Sequence, residues 1–592
     1  MRSSAVIRPM ETSSREPPSF SENALIVLRE RYLRRAEDGR LEEPGAMLRR
    51  VVQAIAEPSR TYGESPEFWA ERFLARMERL EFLPNSPTLM NAGLAGGQLA
   101  ACFVLPVEDD LDSIFATLAL VARIHQTGGG TGFSFSSLRP RGDRVRSTGG
   151  VSSGPLSFMD VFDYTTRVIR AGGRRRGANM AVLRVDHPDI EEFVQAKRVS
   201  TRLQNFNLSV GVTDGFFAAF DRGEPFRLKN PRTGQAVGSV DPVKLFEMIV
   251  ESAWTTGDPG LVFLDEINRH NPTPALGSIE ATNPCGEQPL LPYESCTLGS
   301  INLARFAAGK DVDWPRLKGA IRDAVVFLDN VIDANSYPVV EIAEATRRTR
   351  KIGLGVMGLA DLLADIGIAY DSEQALTTGG RIAEFLGSTA REASRDLGLK
   401  RGSFPAFDAS VWRAAGYAAM RNATVTCVAP TGTISMIAGV TGGIEPFFAL
   451  ATVRRVLDGK RLVEVNAAIE RELRALGPSG EAALRALHER GSIRGVAGVS
   501  QELSRRFPVA LEIAPSMHVR MQAAFQQYAD AAVSKTVNLP PDASPEAVRE
   551  VYLLARRLKL KGVTVYRYGS RTGQVLSLVE EQARPDCREC AV

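Results

Sequence analysis

The sequence is poor in cysteine and histidine, has little net charge and contains no long hydrophobic run. Six cysteines in 592 residues are too few for a secreted disulfide scaffold. The five histidines form no pair with another His or a Cys at the short spacings of zinc and iron sites, so no protein-bound metal is expected. A formal charge of +3 is too small to create an electrostatic field that would attract nucleic acid or a membrane surface. No apolar run approaches the roughly 18 residues that cross a bilayer, and the N-terminal residues lack the apolar stretch of a signal peptide, so a cytoplasmic protein is expected.

The composition, 44% hydrophobic and 24% charged, is typical of a folded protein. Residues 1–20 are rich in Ser, Pro and Arg without apolar periodicity, which predicts a flexible leader. From 21 to 83, apolar residues recur at helical spacing and predict a helical N-terminal region. From 84 to 575, short β-branched or apolar runs alternate with longer amphipathic ones, as in an α/β domain with largely parallel strands.

Several elements of this α/β region can be placed. Residues 181–185 predict a strand, and Asp313 is a good N-cap for a helix that must end before Pro338. An Ala/Leu/Glu/Arg-rich stretch at about 454–497 predicts a helical insertion. Val563 and Val565 alternate in a late strand, and residues 576–592 turn polar, which predicts a mobile C-terminal tail.

The most informative segment is Asn-Pro-Cys-Gly-Glu at 283–287. The proline favours an extended residue before it, and Gly286 allows another molecule to approach the backbone closely. The loop therefore holds the thiol of Cys285 between an amide and a carboxylate that can act as a base. A Cys in such a loop is also common as a small buried hydrophobe, so the residues alone leave both interpretations open.

Six segments spread along the chain carry a resemblance to a known family. They are LPNSPTL (83–89), GGGTGF (128–133), NPCGEQ (283–288), SC (295–296) followed by GSIN (299–302), PTGTIS (430–435) and GVTVYR (562–567). In this order they resemble the catalytic subunit of ribonucleotide reductases, particularly the adenosylcobalamin-dependent class. The resemblance implies a ten-stranded α/β barrel of the ribonucleotide reductase and radical enzyme type, with a helical N-terminal cap.

The resemblance also implies roles for the loop and for two distant cysteines. Cys285 is similar to the thiyl radical that takes the 3′ hydrogen of the ribose, Glu287 to the base on the 3′ hydroxyl, and Asn283 to a hydrogen-bonding guide for the ribose. Cys102 and Cys296 are similar to the pair that supplies two electrons by closing to a disulfide. Without the family, two independent buried thiols would be the default interpretation of this pair.

The resemblance extends to the tail, where Cys587 and Cys590 match a pair that exchanges with the barrel disulfide and is then reduced by a thioredoxin-like protein. A zinc ribbon is the alternative, but it needs a second Cys pair, which does not follow Cys590. Cys427 matches no catalytic cysteine of the family and is assigned to packing.

By resemblance, a turn of Thr, Gly and Ser holds the substrate phosphates, and an arginine-rich loop reports a bound deoxynucleotide effector. The substrate-binding residues predicted in this way are Ser86, Pro430, Thr431, Gly432, Thr433 and Ile434. The effector-binding residues are Asp109, Arg139, Arg174, Arg175 and Arg176. A plain turn and a solvated basic run are the respective alternatives. The glycines at 128–132 fit neither a Walker loop nor a dinucleotide fingerprint, and a tight barrel turn is the simplest interpretation.

The residues in one of the motifs favour adenosylcobalamin as the radical source. Catalytic subunits that need a metal-containing radical partner use two adjacent tyrosines, whereas Arg567 separates Tyr566 from Tyr568 here. That partner-dependent class is the first alternative, and a catalytically silent nucleotide-binding regulator is the second. The expected partners are a ribonucleotide, more specifically a diphosphate, a deoxynucleotide effector, the reductant and a second copy of the chain in a homodimer. The N-terminal region is short for the family's additional ATP-sensing domain, so overall ATP/dATP control of activity is not expected.

Overall fold

The computed structural model describes residues 20–145, 149–171, 175–198, 202–456, 460–570 and 576–577. The predicted leader up to residue 19, Arg174 and the tail cysteines Cys587 and Cys590 lie outside these residues, as do the side chains of Arg175 and Arg176.

Helices and strands alternate along most of the described chain. The helices are α1 (Glu22–Arg31), α2 (Pro44–Ala56), α3 (Pro66–Glu78), α4 (Ser86–Asn91), α5 (Leu111–Gln126), α6 (Pro155–Val168), α7 (Ile190–Gln195), α8 (Asp214–Arg222), α9 (Pro242–Thr256), α10 (Leu264–Arg269), α11 (Trp314–Ala334), α12 (Val340–Thr349), α13 (Leu359–Asp365), α14 (Glu373–Arg401), α15 (Val411–Ala414), α16 (Ile434–Ala438), α17 (Ala467–Ala475), α18 (Pro478–Arg490), α19 (Gln501–Arg506), α20 (Pro515–Gln526) and α21 (Pro545–Arg557). The strands are β1 (Phe82–Pro84), β2 (Cys102–Val104), β3 (Gly130–Ser134), β4 (Arg170–Ala171), β5 (Arg175–Arg176), β6 (Asn179–Arg184), β7 (Phe206–Val212), β8 (Phe226–Lys229), β9 (Ala236–Val240), β10 (Gly260–Phe263), β11 (Ala281–Thr282), β12 (Pro289–Leu290), β13 (Ser295–Asn302), β14 (Ala307–Ala308), β15 (Asp311–Val312), β16 (Ile352–Met357), β17 (Ala451–Val456), β18 (Lys460–Val465), β19 (Thr536–Leu539), β20 (Gly562–Arg567) and β21 (Leu576–Ser577). Short 3-10 turns occur at Glu57–Tyr62, Pro274–Leu276, Leu303–Phe306, Phe407–Ala409 and Ala510–Glu512.

The N-terminal region is helical, as predicted, and consists of α1, α2 and α3. Ser21 caps α1, since its Oγ accepts a hydrogen bond from the Ala24 N–H at 3.2 Å, and a proline stands at the first position of both α2 and α3. The helical repeat of apolar residues in α2 buries Met47, Val51 and Ile55. This face shares one hydrophobic core with α11 and α14.

The central sheet closes into a ring of two halves. β2, β3, β6, β7 and β10 run parallel and form the first half. In the second half β13 runs parallel to β16, and β19 runs parallel to β20. Single parallel bridges from Leu354 to Thr426 and from Val428 to Val533 fill the gap between β16 and β19. The halves meet antiparallel, β2 against β13 and β10 against β20, so the predicted ten-stranded α/β barrel is confirmed.

Three strands of the ring are buried on both faces. Every residue of β10, β13 and β16 is buried, which is the pattern of parallel strands covered by helices. The strand predicted at 181–185 is β6, and the helix predicted after Asp313 is α11. In α11 the Asp313 carboxylate accepts from the Arg316 N–H at 3.1 Å, and Leu317 and Ile321 are buried.

One predicted element is partly wrong. The stretch 454–497 is helical only from Ala467, in α17 and α18, whereas β17 and β18 form an antiparallel hairpin before it. The Asp-Gly pair at 458–459 is a hairpin signal in the sequence, and the helix-favouring composition around it concealed that signal. β21 adds a third strand to the hairpin by pairing with β17.

A buried cluster of charges joins the helices outside the ring. The carboxylate of Asp329, in α11, accepts hydrogen bonds from Arg350 Nη2 at 2.8 Å, Arg401 Nη1 at 3.1 Å and Arg421 Nε at 3.1 Å. Burial alone would raise the pKa of Asp329, but these guanidinium groups lower it to about 2. Arg401 also donates to Glu64 at 2.8 Å, so the cluster ties the N-terminal region to the barrel.

Candidate active site

The loop at 283–288 connects β11 and β12, which form a short antiparallel hairpin. Its turn is closed by its own groups, since Asn283 Oδ1 accepts from the Gln288 N–H at 2.9 Å and the Gly286 N–H donates to the Asn283 carbonyl at 3.0 Å. Asn207 of β7 donates to the Pro284 carbonyl at 2.8 Å, and the Ala532 N–H donates to the Glu287 carbonyl at 2.9 Å. Because these contacts come from both halves of the ring, the loop lies inside the barrel.

Glycines in the barrel wall make room for this loop. A Cβ on Gly132 would lie 1.7 Å from the Thr282 carbonyl oxygen, and one on Gly130 would lie 2.9 Å from Pro284 Cγ. On the opposite wall, a Cβ on Gly353 would lie 2.5 Å from Gln288 Nε2. The sequence interpretation of residues 128–132 as a tight turn is therefore wrong for 130–132, which belong to β3. Gly130 and Gly132 are glycines because the loop crosses the strand at these two positions.

The thiol and the carboxylate of the loop have opposite exposures. Cys285 is exposed at the tip, next to Gly286, whose φ is +80°. Glu287 is only 2% exposed, and its Oε2 has no hydrogen-bond partner among the residues that the structure describes. Burial raises the pKa of Glu287 to about 7, against the opposing effect of the Asn283 amide. This carboxyl group can therefore take up or release a proton near neutral pH.

Cys102 and Cys296 are directly opposite each other across the antiparallel pair of β2 and β13. Opposite Cα atoms in such pairs lie about 4.5–5.5 Å apart, which is within the range that a disulfide spans. Both cysteines are free and buried, and burial raises the pKa of each thiol well above its usual value. Asn283 Nδ2 donates to Cys102 Sγ at 3.0 Å, so the pair adjoins the Cys285 loop. Cys427 is buried in the same cluster, where it packs as a small hydrophobe.

The two segments predicted to bind phosphate both adjoin the N-terminal helix α1. Ser86 Oγ is 2.7 Å from the hydroxyl of Tyr32, the C-cap residue of α1. Helix α1 also contacts α16, which follows the 430–433 turn. Within the turn, Thr431 has a φ of +53° and its Oγ1 accepts from the Gly443 N–H at 2.8 Å. Gly432 is exposed, and a Cβ there would meet no atom within 4 Å, so the turn is open to a ligand.

Of the predicted effector residues, Asp109 and Arg139 form an ion pair in which Arg139 Nε donates to Asp109 Oδ2 at 2.8 Å. The pair lies at the start of α5. The backbone of Arg170–Ala171 and Arg175–Arg176 forms the β4–β5 hairpin, and β4 contacts α5. The two parts of the predicted effector region are thus linked by one helix.

The sequence interpretation missed the residues that hold the loop. Asn207 gives no signal of its own in the sequence, since an isolated Asn in a strand is unremarkable without knowledge of its neighbour. Gly353 and Gly355 do carry a signal, because a glycine inside a strand indicates close approach of another backbone. In the described part of the chain, no group of three or more His, Cys, Asp and Glu side chains is arranged to hold a metal ion, and no helix has the length and apolar character needed to cross a membrane.

Comparisons with known proteins agree with this geometry. The family model of the ribonucleotide reductase barrel domain matches residues 100–566, and that of the ribonucleotide reductase all-alpha domain matches residues 18–97. The chain belongs to the ribonucleotide reductase family, and it is an oxidoreductase of that family.

Among individual relatives, it is 54% identical to the vitamin B12-dependent ribonucleoside-diphosphate reductase of Mycobacterium tuberculosis (strain CDC 1551 / Oshkosh), over 95% of this chain and 81% of that protein. It is 49% identical to the protein of the same name from Thermoplasma acidophilum, over 96% of this chain and 74% of that protein. Among solved structures, the class Id ribonucleotide reductase alpha subunit of Actinobacillus ureae has a TM-score of 0.76 at 25% identity, over 94% of this chain and 98% of that one.

Proposed function

We propose that the chain is an adenosylcobalamin-dependent ribonucleoside-diphosphate reductase, which makes 2′-deoxyribonucleotides for DNA synthesis and repair. The observation that carries the proposal is the grouping of an exposed thiol, a buried carboxylate and two directly opposed thiols at one loop inside the barrel. The names of the relatives at 54% and 49% identity support the cofactor and the diphosphate level of the substrate.

In the proposed reaction, the exposed Cys285 acts as a thiyl radical and takes the hydrogen from the 3′ carbon of the ribose. Glu287 accepts the 3′ hydroxyl proton, for which its pKa of about 7 is suited because a base works best near the operating pH. The 2′ hydroxyl then leaves as water, since a radical at the neighbouring carbon removes the need to form a cation. Asn283, held by its own loop, orients the ribose.

Cys102 and Cys296 supply the two electrons and two protons of the reduction and close to a disulfide, while Cys285 returns the hydrogen to the 3′ carbon and becomes a thiyl radical again. Their opposition across β2 and β13 supports this role. Cys587 and Cys590 then reduce the disulfide by thiol exchange and are themselves reduced by a thioredoxin-like protein in the cytoplasm.

Adenosylcobalamin, when bound, supplies the radical that oxidises Cys285. The surroundings of the thiol fit such a group, because Cys285 is exposed and a Cβ on Gly286 would meet no atom within 4 Å. The chain's own contribution is to hold Cys285 at the loop tip and Glu287 in a dry environment beneath it.

The remaining predicted residues bind the phosphates and the effector. Ser86 and the open turn at 430–434 hold the substrate phosphates through hydroxyl and backbone N–H groups. Asp109, Arg139 and the arginines at 174–176 respond to a deoxynucleotide effector and thereby set substrate choice.

A homodimer is part of the proposal, and the surface of α5 and α6 supports it. These neighbouring helices expose large apolar side chains at helical spacing, namely Leu111 (60% exposed), Phe115 (50%), Val161 (38%), Tyr164 (60%) and Val168 (64%). Exposed apolar groups of this kind mark interaction surfaces. A second copy would cover them and would place two effector regions side by side.

The test is to incubate the purified chain with adenosylcobalamin, a dithiol and each ribonucleoside diphosphate, and to measure deoxynucleotide formation with no other protein present. Product from the unaltered chain, and none from a Cys285→Ser control, is the expected result. No product, with activity appearing only when a metal-containing partner fraction is added, would move the chain to the partner-dependent class. Parallel reactions with ribonucleoside triphosphates check the phosphate level.

A further inference from the structure

A chain of buried hydrogen bonds lies between the effector region and the Cys285 loop. His125 Nε2 is 3.0 Å from Thr131 Oγ1, which donates to Asn179 Oδ1 at 2.7 Å. Asn179 Nδ2 donates to Thr166 Oγ1 at 2.8 Å, and Thr166 donates to the Phe162 carbonyl at 2.9 Å. Because the single Thr131 hydroxyl proton goes to Asn179, the His125 Nε2–H must be the donor to Thr131, so the hydrogen bonds run in one direction.

These hydrogen-bonded residues lie on both sides of the β4–β5 hairpin, whose second strand consists of Arg175 and Arg176. Thr166, near the end of α6, precedes the hairpin by four residues, and Asn179, at the start of β6, follows it by three. The ring of His125 lies against the returning backbone, since a Cβ on Gly177 would be 2.6 Å from His125 Nδ1. All four side chains of the chain are at most 1% exposed. The base of the hairpin is therefore fixed by buried groups.

The Asp109–Arg139 pair adjoins the other end of α5, whose first residue, Leu111, precedes His125 by 14 residues, a helical rise of about 21 Å. A shift of this helix on effector binding would move the His125 ring, because a helix transmits displacement as a rigid element.

Thr131 connects the same groups to the catalytic loop. It is the residue of β3 between Gly130 and Gly132, the two glycines on which Pro284 and Thr282 lie. The Thr131 N–H also donates to the Ala178 carbonyl at 3.2 Å, next to Gly177. One residue thus contacts the base of the hairpin through its side chain and backbone, while its neighbours support the loop of Cys285.

We propose that His125, Thr131, Asn179 and Thr166 are positioning residues that couple the effector hairpin to the Cys285 loop, so that effector-dependent choice of substrate requires this hydrogen-bonded chain. The inference rests on the proposed function, since it concerns regulation of the same site. None of the four side chains reacts. Burial lowers the pKa of His125 to about 4, so its ring is a neutral, fixed donor at working pH.

The test uses Thr131→Val, which keeps the side-chain volume and removes the hydroxyl, beside Thr131→Ser, which keeps the hydroxyl. For each ribonucleoside diphosphate, kcat/KM is measured with adenosylcobalamin and a dithiol, with and without each deoxynucleoside triphosphate. We expect Thr131→Val to retain effector-free turnover within about threefold. The effector-induced change in the ratio of kcat/KM between substrates should be at least about fivefold smaller than in the unaltered chain. Thr131→Ser should restore that change.

A second variant and a matched control keep the result interpretable. His125→Asn removes the first donor and should reproduce the loss if Thr131→Val does not fold. Thr117→Val, on the same helix, removes a buried hydrogen bond to the Pro106 carbonyl that leads to neither hairpin nor loop, and it should leave the effector response intact. The proposal would be overturned if the effector-induced change in the kcat/KM ratio in Thr131→Val or His125→Asn stayed within twofold of that in the unaltered chain. It would also be overturned if kcat/KM fell equally with and without effector. No reduction by the unaltered chain would refute the proposed function itself, and the inference with it.

Discussion

Two buried carboxylates of this protein have opposite surroundings. Glu287, inside the barrel, is 2% exposed and its Oε2 lacks a hydrogen-bond partner among the described residues. Asp329, in α11 outside the ring, is 0% exposed and accepts hydrogen bonds from Arg350, Arg401 and Arg421. Burial raises the pKa of Glu287 to about 7, whereas the arginines lower that of Asp329 to about 2.

The difference separates chemistry from stability. A carboxylate whose oxygens are all paired stays charged and has no acceptor left for a ligand, so it can only hold the fold together. A buried carboxyl group without a cation stays near its protonation midpoint at neutral pH and can exchange a proton with a substrate. Of these two carboxylates, the one with an unpaired oxygen lies in the candidate active site, and the fully paired one belongs to the framework of the fold.

The largest effect is expected at the loop tip. Cys285→Ser should lower turnover by more than roughly 10⁴-fold, because a hydroxyl cannot replace the thiol as a hydrogen-abstracting radical. The variant should unfold at the same temperature as the unaltered chain, since the Cys285 side chain is exposed. Deoxynucleotide formation and a thermal melt measure the two quantities, and residual turnover above one per cent would remove Cys285 from the mechanism.

Glu287→Gln tests the reactive half of the comparison. We expect kcat to fall by about 10²–10⁴-fold, the usual contribution of a general base. The free energy of unfolding at pH 8 should stay the same or rise, because the substitution removes a buried negative charge that has no cation partner. Steady-state kinetics measure kcat, and denaturant unfolding measures the free energy of unfolding. A clear loss of stability with normal kcat would assign Glu287 to the framework and not to the reaction.

Asp329→Asn tests the framework half. The unfolding free energy should fall by about 3–5 kcal/mol, because three buried guanidinium groups lose their shared counter-charge. Glu392→Gln, which breaks a surface pair with Lys318, is the control and should cost less than about 1 kcal/mol. Urea unfolding of both variants provides the measurement, and equal losses would show that the buried cluster has no special role.

The smallest effects concern pH. Below pH 7 Glu287 is protonated, so kcat/KM should fall by about tenfold per pH unit, and this dependence should vanish in Glu287→Gln. The folded pKa of Glu287 exceeds its usual value of 4.5, so the folded chain binds a proton that the unfolded chain releases between these values. Its contribution to stability is therefore greatest at low pH and is lost as the pH rises through 7, opposite to the activity.

Asp329 should behave in the reverse sense. Its folded pKa of about 2 lies below the usual 3.8, so its contribution to stability is present above pH 4 and is lost as the pH falls through 2. Melting temperatures of the unaltered chain and of both variants from about pH 2 to pH 8 would separate the two groups. A pH dependence of activity that persists in Glu287→Gln would assign it to another group.

Local signals in the sequence predicted the elements that depend on local chemistry. The N-cap Asp313 and the apolar stripe after it predicted α11, and the alternation of Val563 and Val565 predicted β20. Closure of the ring has no such signal, because Thr426 and Val428 contribute only single bridges between β16 and the start of β19. The family resemblance supplied that part of the fold.

The candidate site divides in the same way. The chemistry of the 283–287 loop can be read from five adjacent residues, whereas the opposition of Cys102 and Cys296 depends on a pairing of strands far apart in sequence. The partners of Asp329 come from three different segments of the chain, so no local pattern predicts that cluster. The catalytic roles themselves remain predictions until the variants are measured.

Cys102 and Cys296 lie where the two halves of the barrel meet. β2 belongs to one half of the barrel and β13 to the other, and the antiparallel seam between the halves runs between these two residues. In the proposed reaction, a disulfide formed between these two residues links the halves covalently, and its reduction breaks that link. The proposed mechanism therefore changes how the barrel halves are joined once per product molecule, from hydrogen bonds alone to hydrogen bonds plus a disulfide at this seam.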